Sequence, residues 1–146
     1  MKSTRSSKRV GRGPGSGKGK TTLASMLPNP VFIGCDDGGR KIRNPLTGKP
    51  VHHVEGIENF QDARDALQTH SLFVPYKSVV IDTLTVLEQW AEPWMFDNFK
   101  SEKGQKVNSL EGYGWGKGYK HSLDTMRTIL QDLDALVRRG LNVCLL

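Results

Sequence analysis

A chain of 146 residues with 36% hydrophobic and 25% charged positions has the size and balance of one soluble domain rather than two. Its two cysteines, Cys35 and Cys144, are too few for a disulfide framework; each lies in an apolar run where a reduced, buried thiol is the ordinary state, which points to a cytoplasmic setting. No stretch approaches the roughly 20 apolar residues of a membrane span, and the basic start is not followed by the apolar region of a secretion signal, so neither membrane association nor export is expected.

The net charge of +6 sits at one end of the chain. Residues 1–20 hold seven Lys or Arg and no acid, which leaves 14 basic and 15 acidic side chains in the other 126 positions. A basic flexible tail over 1–9, ahead of a domain over 10–146, attracts any polyanion weakly and in a salt-dependent way. It says little about a specific groove.

Residues 1–20 are rich in Ser, Gly and basic side chains, with Gly11, Gly13, Gly15, Gly17 and Gly19 at alternate positions; alone, that composition reads as disordered. The next segment changes the reading, because residues 21–27 suit two helical turns ended by Pro28-Asn29-Pro30. Residues 31–35 form a buried strand stopped by Asp36-Asp37-Gly38-Gly39. A basic Pro/Gly loop runs to Lys49, and a short strand covers 51–55. Ile57, Phe60, Ala63, Ala66 and Leu67 recur at helical spacing and predict an amphipathic helix over 57–69. Residues 76–82 are a strand ending in the carboxylate of Asp82. Leu84, Leu87, Trp90 and Ala91 begin a helix that Pro93 should disturb, and 97–118 is a long polar, Gly-rich connection. The clearest helical stripe is Leu123, Met126, Leu130, Leu133 and Val137, capped by Gly140 and followed by a buried strand over 141–146. Apolar strands alternating with amphipathic helices, with no room for hairpins, predict an α/β fold with a parallel sheet covered by helices.

The chemistry concentrates in Gly13-Pro14-Gly15-Ser16-Gly17-Lys18-Gly19-Lys20-Thr21-Thr22, a glycine-rich loop running into a helix. Backbone N–H groups of Gly15, Ser16, Gly17, Lys18, Gly19, Lys20, Thr21 and Thr22 can converge on a triphosphate, and a helix N-terminus adds partial positive charge. Lys20 then holds the β/γ-phosphates and Thr21 the magnesium; a Gly-rich basic tail is the bland alternative. In the P-loop pattern a glycine stands five residues before the Gly of Gly-Lys-Thr, and here that position is Pro14. Lys18 is therefore a competing phosphate ligand, but Gly19 after it has no side chain for magnesium. The strand that should deliver the loop is weak, since residues 3–12 offer only Val10.

Val79-Val80-Ile81-Asp82 supplies a strand-terminal acid where a magnesium site needs one; the alternative is an Asp that caps the next helix. Asp36 and Asp37 end the strand after the loop helix and emerge beside the phosphates, where a carboxylate can polarise an attacking water; otherwise they form an acidic turn. His52, His53, His70 and His121 lack metal-ligand spacing. Residues 112–120 interleave aromatics, glycines and lysines. They either stack bases along a nucleic acid or pack on Trp90 and Trp94.

Residues 17–24, 28–33, 79–85, 112–119 and 130–146 together resemble phage-encoded RecA-like P-loop ATPases, including those that act in single-strand annealing during recombination. The resemblance implies a RecA-type core binding ATP and Mg2+ through Lys20 and Thr21, with Asp82 completing the metal site and Asp36 activating water. It implies a single-stranded DNA partner contacted by residues 97–118, which contain Lys100, Lys103, Lys106 and Lys117, and homo-oligomers when the domain is intact. It also implies further strands and a γ-phosphate sensor after Leu146, so the chain is expected to be a partial copy of that domain. A non-catalytic nucleic-acid-binding remnant and a P-loop kinase are the other readings.

Overall fold

The computed structural model describes residues 19–35 and 41–146. The proposed tail, the weak strand near Val10, the loop residues up to Lys18, and Asp36 and Asp37 lie outside the described residues.

Four strands, β1 (Pro30–Gly34), β2 (His52–His53), β3 (Ser78–Asp82) and β4 (Asn142–Leu145), form one sheet in the order β2-β1-β3-β4. Every pairing between neighbours is parallel, with Val31 opposite Val79 and Val80 opposite Cys144. Parallel strands need crossovers, and the chain supplies helices between them: α2 (Phe60–Gln68) before β3, and α3 (Leu84–Asn98) and α4 (Lys117–Arg138) between β3 and β4. The expected α/β class is the one observed.

Alternation along the strands separates two faces. Val31, Ile33, Val79 and Ile81 point toward α2, α3 and α4, where Phe60, Leu67, Leu87, Ile129 and Leu136 complete the main core. Phe32 and Val80 point the other way, onto Ala24 of α1 (Lys20–Ala24). Asp82 has the same parity as Val80, so strand geometry delivers its carboxylate to the α1 side.

Local sequence accounts for most helix ends. Asn59 caps α2 by accepting from the Asp62 N–H at 2.9 Å, while its own amide donates to the Asp62 carboxylate at 2.8 Å; the helix therefore starts at Phe60, and Ile57 packs on the core from outside it. At the end of α4, Gly140 sits at φ 90, its N–H reaching the Val137 carbonyl and the Leu141 N–H the Leu136 carbonyl. That is a Schellman closure, which requires a left-handed residue and is the cap expected of Gly140.

Three expectations are corrected. The helix after β3 runs through Pro93 to Asn98. Pro93 is exposed, so the ladder bond it removes lies on the solvent side, while Leu87, Ala91 and Met95 anchor the helix to the interior. The strand expected over 51–55 shortens to His52–His53, because only Val31 and Phe32 stand opposite it. The buried stripe of α4 is only partly the expected one: Leu133 is buried and Met126 packs on the core as expected, but Thr125, Ile129 and Leu136 are buried with them, whereas Leu123, Leu130 and Val137 are exposed. Thr125 tolerates burial because its hydroxyl donates to the His121 carbonyl at 2.8 Å.

Candidate functional site

At the carboxyl edge of β3, the Thr21 hydroxyl donates to Asp82 Oδ2 at 3.0 Å, joining residues 61 positions apart. Asp82 is 5% exposed. Each partner arrives by its own local route. Gly19 takes φ 105, a left-handed turn that a side chain would strain, and α1 starts directly after it. The helix is five residues long, shorter than the two turns expected, so any helix-dipole contribution is small. Asp82 is the last residue of a fully buried strand. The peptide bond that follows it is cis.

The alternative role for Asp82, capping the next helix, is taken by another residue. Thr83 caps α3, its hydroxyl accepting from the Val86 N–H at 3.4 Å. Nothing in the strand pattern singles out Thr83, although Thr directly before an apolar helical run is a recognisable cap signal. The tip of β4 lies beside the same edge: the Leu84 N–H donates to the Leu146 carbonyl at 2.7 Å and the Leu146 N–H to Ile81 at 3.1 Å. Burial pushes the Cys144 thiol up from its ordinary value, and the negative charge of Asp82 pushes in the same direction.

Of the predicted site residues, Gly19, Lys20, Thr21, Thr22 and Asp82 are brought to this edge, with Lys20 exposed and Thr21 half-buried. Gly15, Ser16, Gly17, Lys18 and Asp36 lie outside the described residues. A hydroxyl beside a buried carboxylate is a hard-oxygen donor pair, which suits a cation that keeps most of its other positions for water and phosphate oxygens. Among the described residues, no group of three or more His, Cys, Asp or Glu could hold a metal by itself.

One supporting contact had no sequence signal beyond an Asn-Pro dipeptide. The Asn44 side-chain amide donates to the Ser25 carbonyl at 2.8 Å, tying the basic 41–50 segment to the end of α1. The same Asn44 oxygen accepts from the N–H groups of Leu46 and Thr47, which shapes the turn.

The aromatic segment divides. Tyr113 is buried, donating from its hydroxyl to the Phe99 carbonyl at 2.9 Å and packing against Phe96 and His121; it does not rest on Trp90. Trp115 is 102% exposed and Tyr119 67%, so neither packs on Trp90 or Trp94. Of the lysines expected to face DNA, Lys106 pairs with Asp97 at 2.8 Å and Lys117 with Glu102. Those contacts raise the Lys106 pKa and lower that of Glu102. Part of the loop's positive charge is therefore spent internally.

Among the described residues no helix is long and apolar enough to cross a membrane. In comparison with known proteins, a family model described as an AAA domain matches residues 13–146. No curated protein and no solved structure matches the chain.

Proposed function

The chain belongs to the AAA domain family, a family of P-loop ATPases, and on that premise we propose that it binds ATP with Mg2+ at the carboxyl edge of β3. The observation that carries this reading is the Thr21–Asp82 hydrogen bond at 3.0 Å. It pairs the hydroxyl after a Gly-Lys with a strand-terminal carboxylate, as a P-loop metal site requires. Thr21 and Asp82 would hold the magnesium, which would supply charge neutralisation for the phosphates. Gly15, Ser16, Gly17, Lys18, Gly19, Lys20, Thr21 and Thr22 cradle the phosphates, Lys20 compensates their charge, and Asp36 orients the attacking water. In this reading the ATPase is RecA-like and serves phage DNA recombination or repair in the cytoplasm of the host.

Single-stranded DNA is the proposed partner. Exposed Trp115 and Tyr119 beside Lys120 support it, because bases stack on displayed rings while lysines follow the backbone. The same rings support the second reading, a nucleic-acid-binding protein that uses no nucleotide.

A thermal melt with and without magnesium and a non-hydrolysable ATP analogue tests the first reading, since a ligand at a hundredfold excess over Kd stabilises by about 2.7 kcal/mol. The expected result is an upward shift that Lys20→Ala abolishes. A larger loss from Lys18→Ala transfers the phosphate role to Lys18, and no shift in a cooperatively melting sample rejects the site. Deleting residues 1–9 separates the readings: it removes most DNA affinity if the basic tail is the binding device, and leaves nucleotide binding intact if the P-loop works.

A further inference from the structure

The length of α4, 22 residues, spans about 33 Å, and along the margin of its core-facing side runs a row of half-exposed apolar side chains. Tyr119, Leu123, Leu130 and Val137 are 67%, 54%, 48% and 49% exposed. At 3.6 residues per turn these four side chains fall within an arc of about 40°; Met126 and Leu133, which pack into the core, border that arc, and Ile129 and Leu136 turn inward about 100° away. Three of the four are spaced by seven residues, the seam of a helix that pairs with another helix. Large apolar side chains scattered singly over a surface need no explanation, but a row aligned along one line of a helix at heptad spacing fits a pairing seam.

The charges beside the strip identify its occupant. Asp124, Arg127, Asp134 and Arg138 all lie on the flank of the strip away from the core, paired within the helix as Arg127–Asp124 at 2.9 Å and Arg138–Asp134 at 2.6 Å. From Asp124 onward their order is acid, base, acid, base, and Lys120, exposed one turn earlier on the same flank, adds a base at the N-terminal end. An antiparallel second copy about a two-fold axis at Leu130 brings the same flank of each helix together with its direction reversed. Leu123 then meets Val137 of the partner subunit, Arg127 meets Asp134 of the partner subunit, and Asp124 meets Arg138 of the partner subunit. A parallel arrangement would set the charged flank against the partner's core-side flank and leave the charges unmatched. Residues 1–18 are a poor cover for the strip, since Met1 and Val10 are their only large apolar side chains.

We propose that the outer strip of α4 is the interface of an antiparallel, two-fold homodimer centred on Leu130, locked in register by Arg127 and Asp134. It stands independently of the nucleotide site. Because the contact is isologous, it closes at two copies.

Sedimentation equilibrium of the full chain across micromolar concentrations is expected to show a monomer–dimer equilibrium. Leu130→Glu shifts it to monomer with an unchanged circular dichroism spectrum, as the side chain is half exposed. Arg127→Asp places acid against acid at both symmetry-related contacts and weakens the dimer about tenfold, and Arg127→Asp with Asp134→Arg restores it. Under mild oxidation Leu130→Cys cross-links to its partner, whereas Leu123→Cys, about 21 Å from its mate in this register, does not. A chain that remains monomeric at every concentration, a dimer indifferent to Leu130→Glu, or assembly growing past two copies overturns the proposal. Failure of the double charge swap, or cross-linking through Leu123→Cys, overturns the register.

Discussion

The two faces of the sheet are built to different standards. On one, α2, α3 and α4 press Phe60, Leu67, Leu87, Ile129 and Leu136 onto Val31, Ile33, Val79 and Ile81, all of them buried. On the other, the described residues place one five-residue helix against Phe32 and Val80, with Ala24 as its buried contact. The polar chemistry lies on the second face, where Thr21 meets Asp82. Val79 and Ile81 of β3 pack into the first core while the strand's terminal carboxylate meets Thr21, so core packing and site chemistry draw on different side chains of the same strand.

That division can be broken from the scaffold side first. Phe60→Ala empties a fully buried ring site and is expected to cost about 3–5 kcal/mol in urea unfolding, whereas Leu27→Ala on the other face, half-buried, costs about 1 kcal/mol. Comparable losses would show the faces to be equally structural. Gly118→Ala comes next: its Cβ would collide with the Leu110 carbonyl where α4 begins, and overpacking of this kind costs about 1–3 kcal/mol. Thr83→Ala should remove about 0.5–1 kcal/mol of capping and leave Asp82 on Thr21. A loss of the Thr21 contact in that variant, read from nucleotide binding, would mean that capping and site are one device.

The smallest effect sharpens the electrostatic picture. Burial and the Asp82 charge both raise the Cys144 pKa, so Asp82→Asn lowers it and increases the thiolate fraction at mildly alkaline pH. Alkylation of Cys144 should accelerate about twofold to fivefold, with burial retaining the larger part of the shift. An unchanged rate would place the Asp82 charge too far from Cys144 to matter.

How legible each element was depended on the range of the forces behind it. The strands at 30–34 and 78–82 are apolar runs whose burial no other arrangement provides, and both stand where their patterns predict. Asn59 and Gly140 terminate helices through contacts a few residues away, and Gly140 acts as read. The effect of Pro93 is not legible in the sequence, because its cost depends on whether the lost bond faces solvent, a property of the fold. The buried edge of α4 is only partly legible for a related reason. Leu123, Leu130 and Val137 satisfy helical periodicity as well as Ile129 and Leu136 do, and packing against the other elements chooses between them.

The sequence by itself determined the α/β class, the strand-and-helix alternation, and a pairing between a Gly-Lys-Thr and a strand-terminal Asp, because each follows from side-chain period or from the chemistry of phosphates and metal ions. Only the tertiary structure decided that Thr21 lies 3.0 Å from Asp82, that Thr83 rather than Asp82 caps α3, and that α4 keeps an apolar strip outside the core. Those are relations between segments distant along the chain or choices among equivalent faces, and they are settled by the rotation and register of packed elements, which local periodicity leaves open.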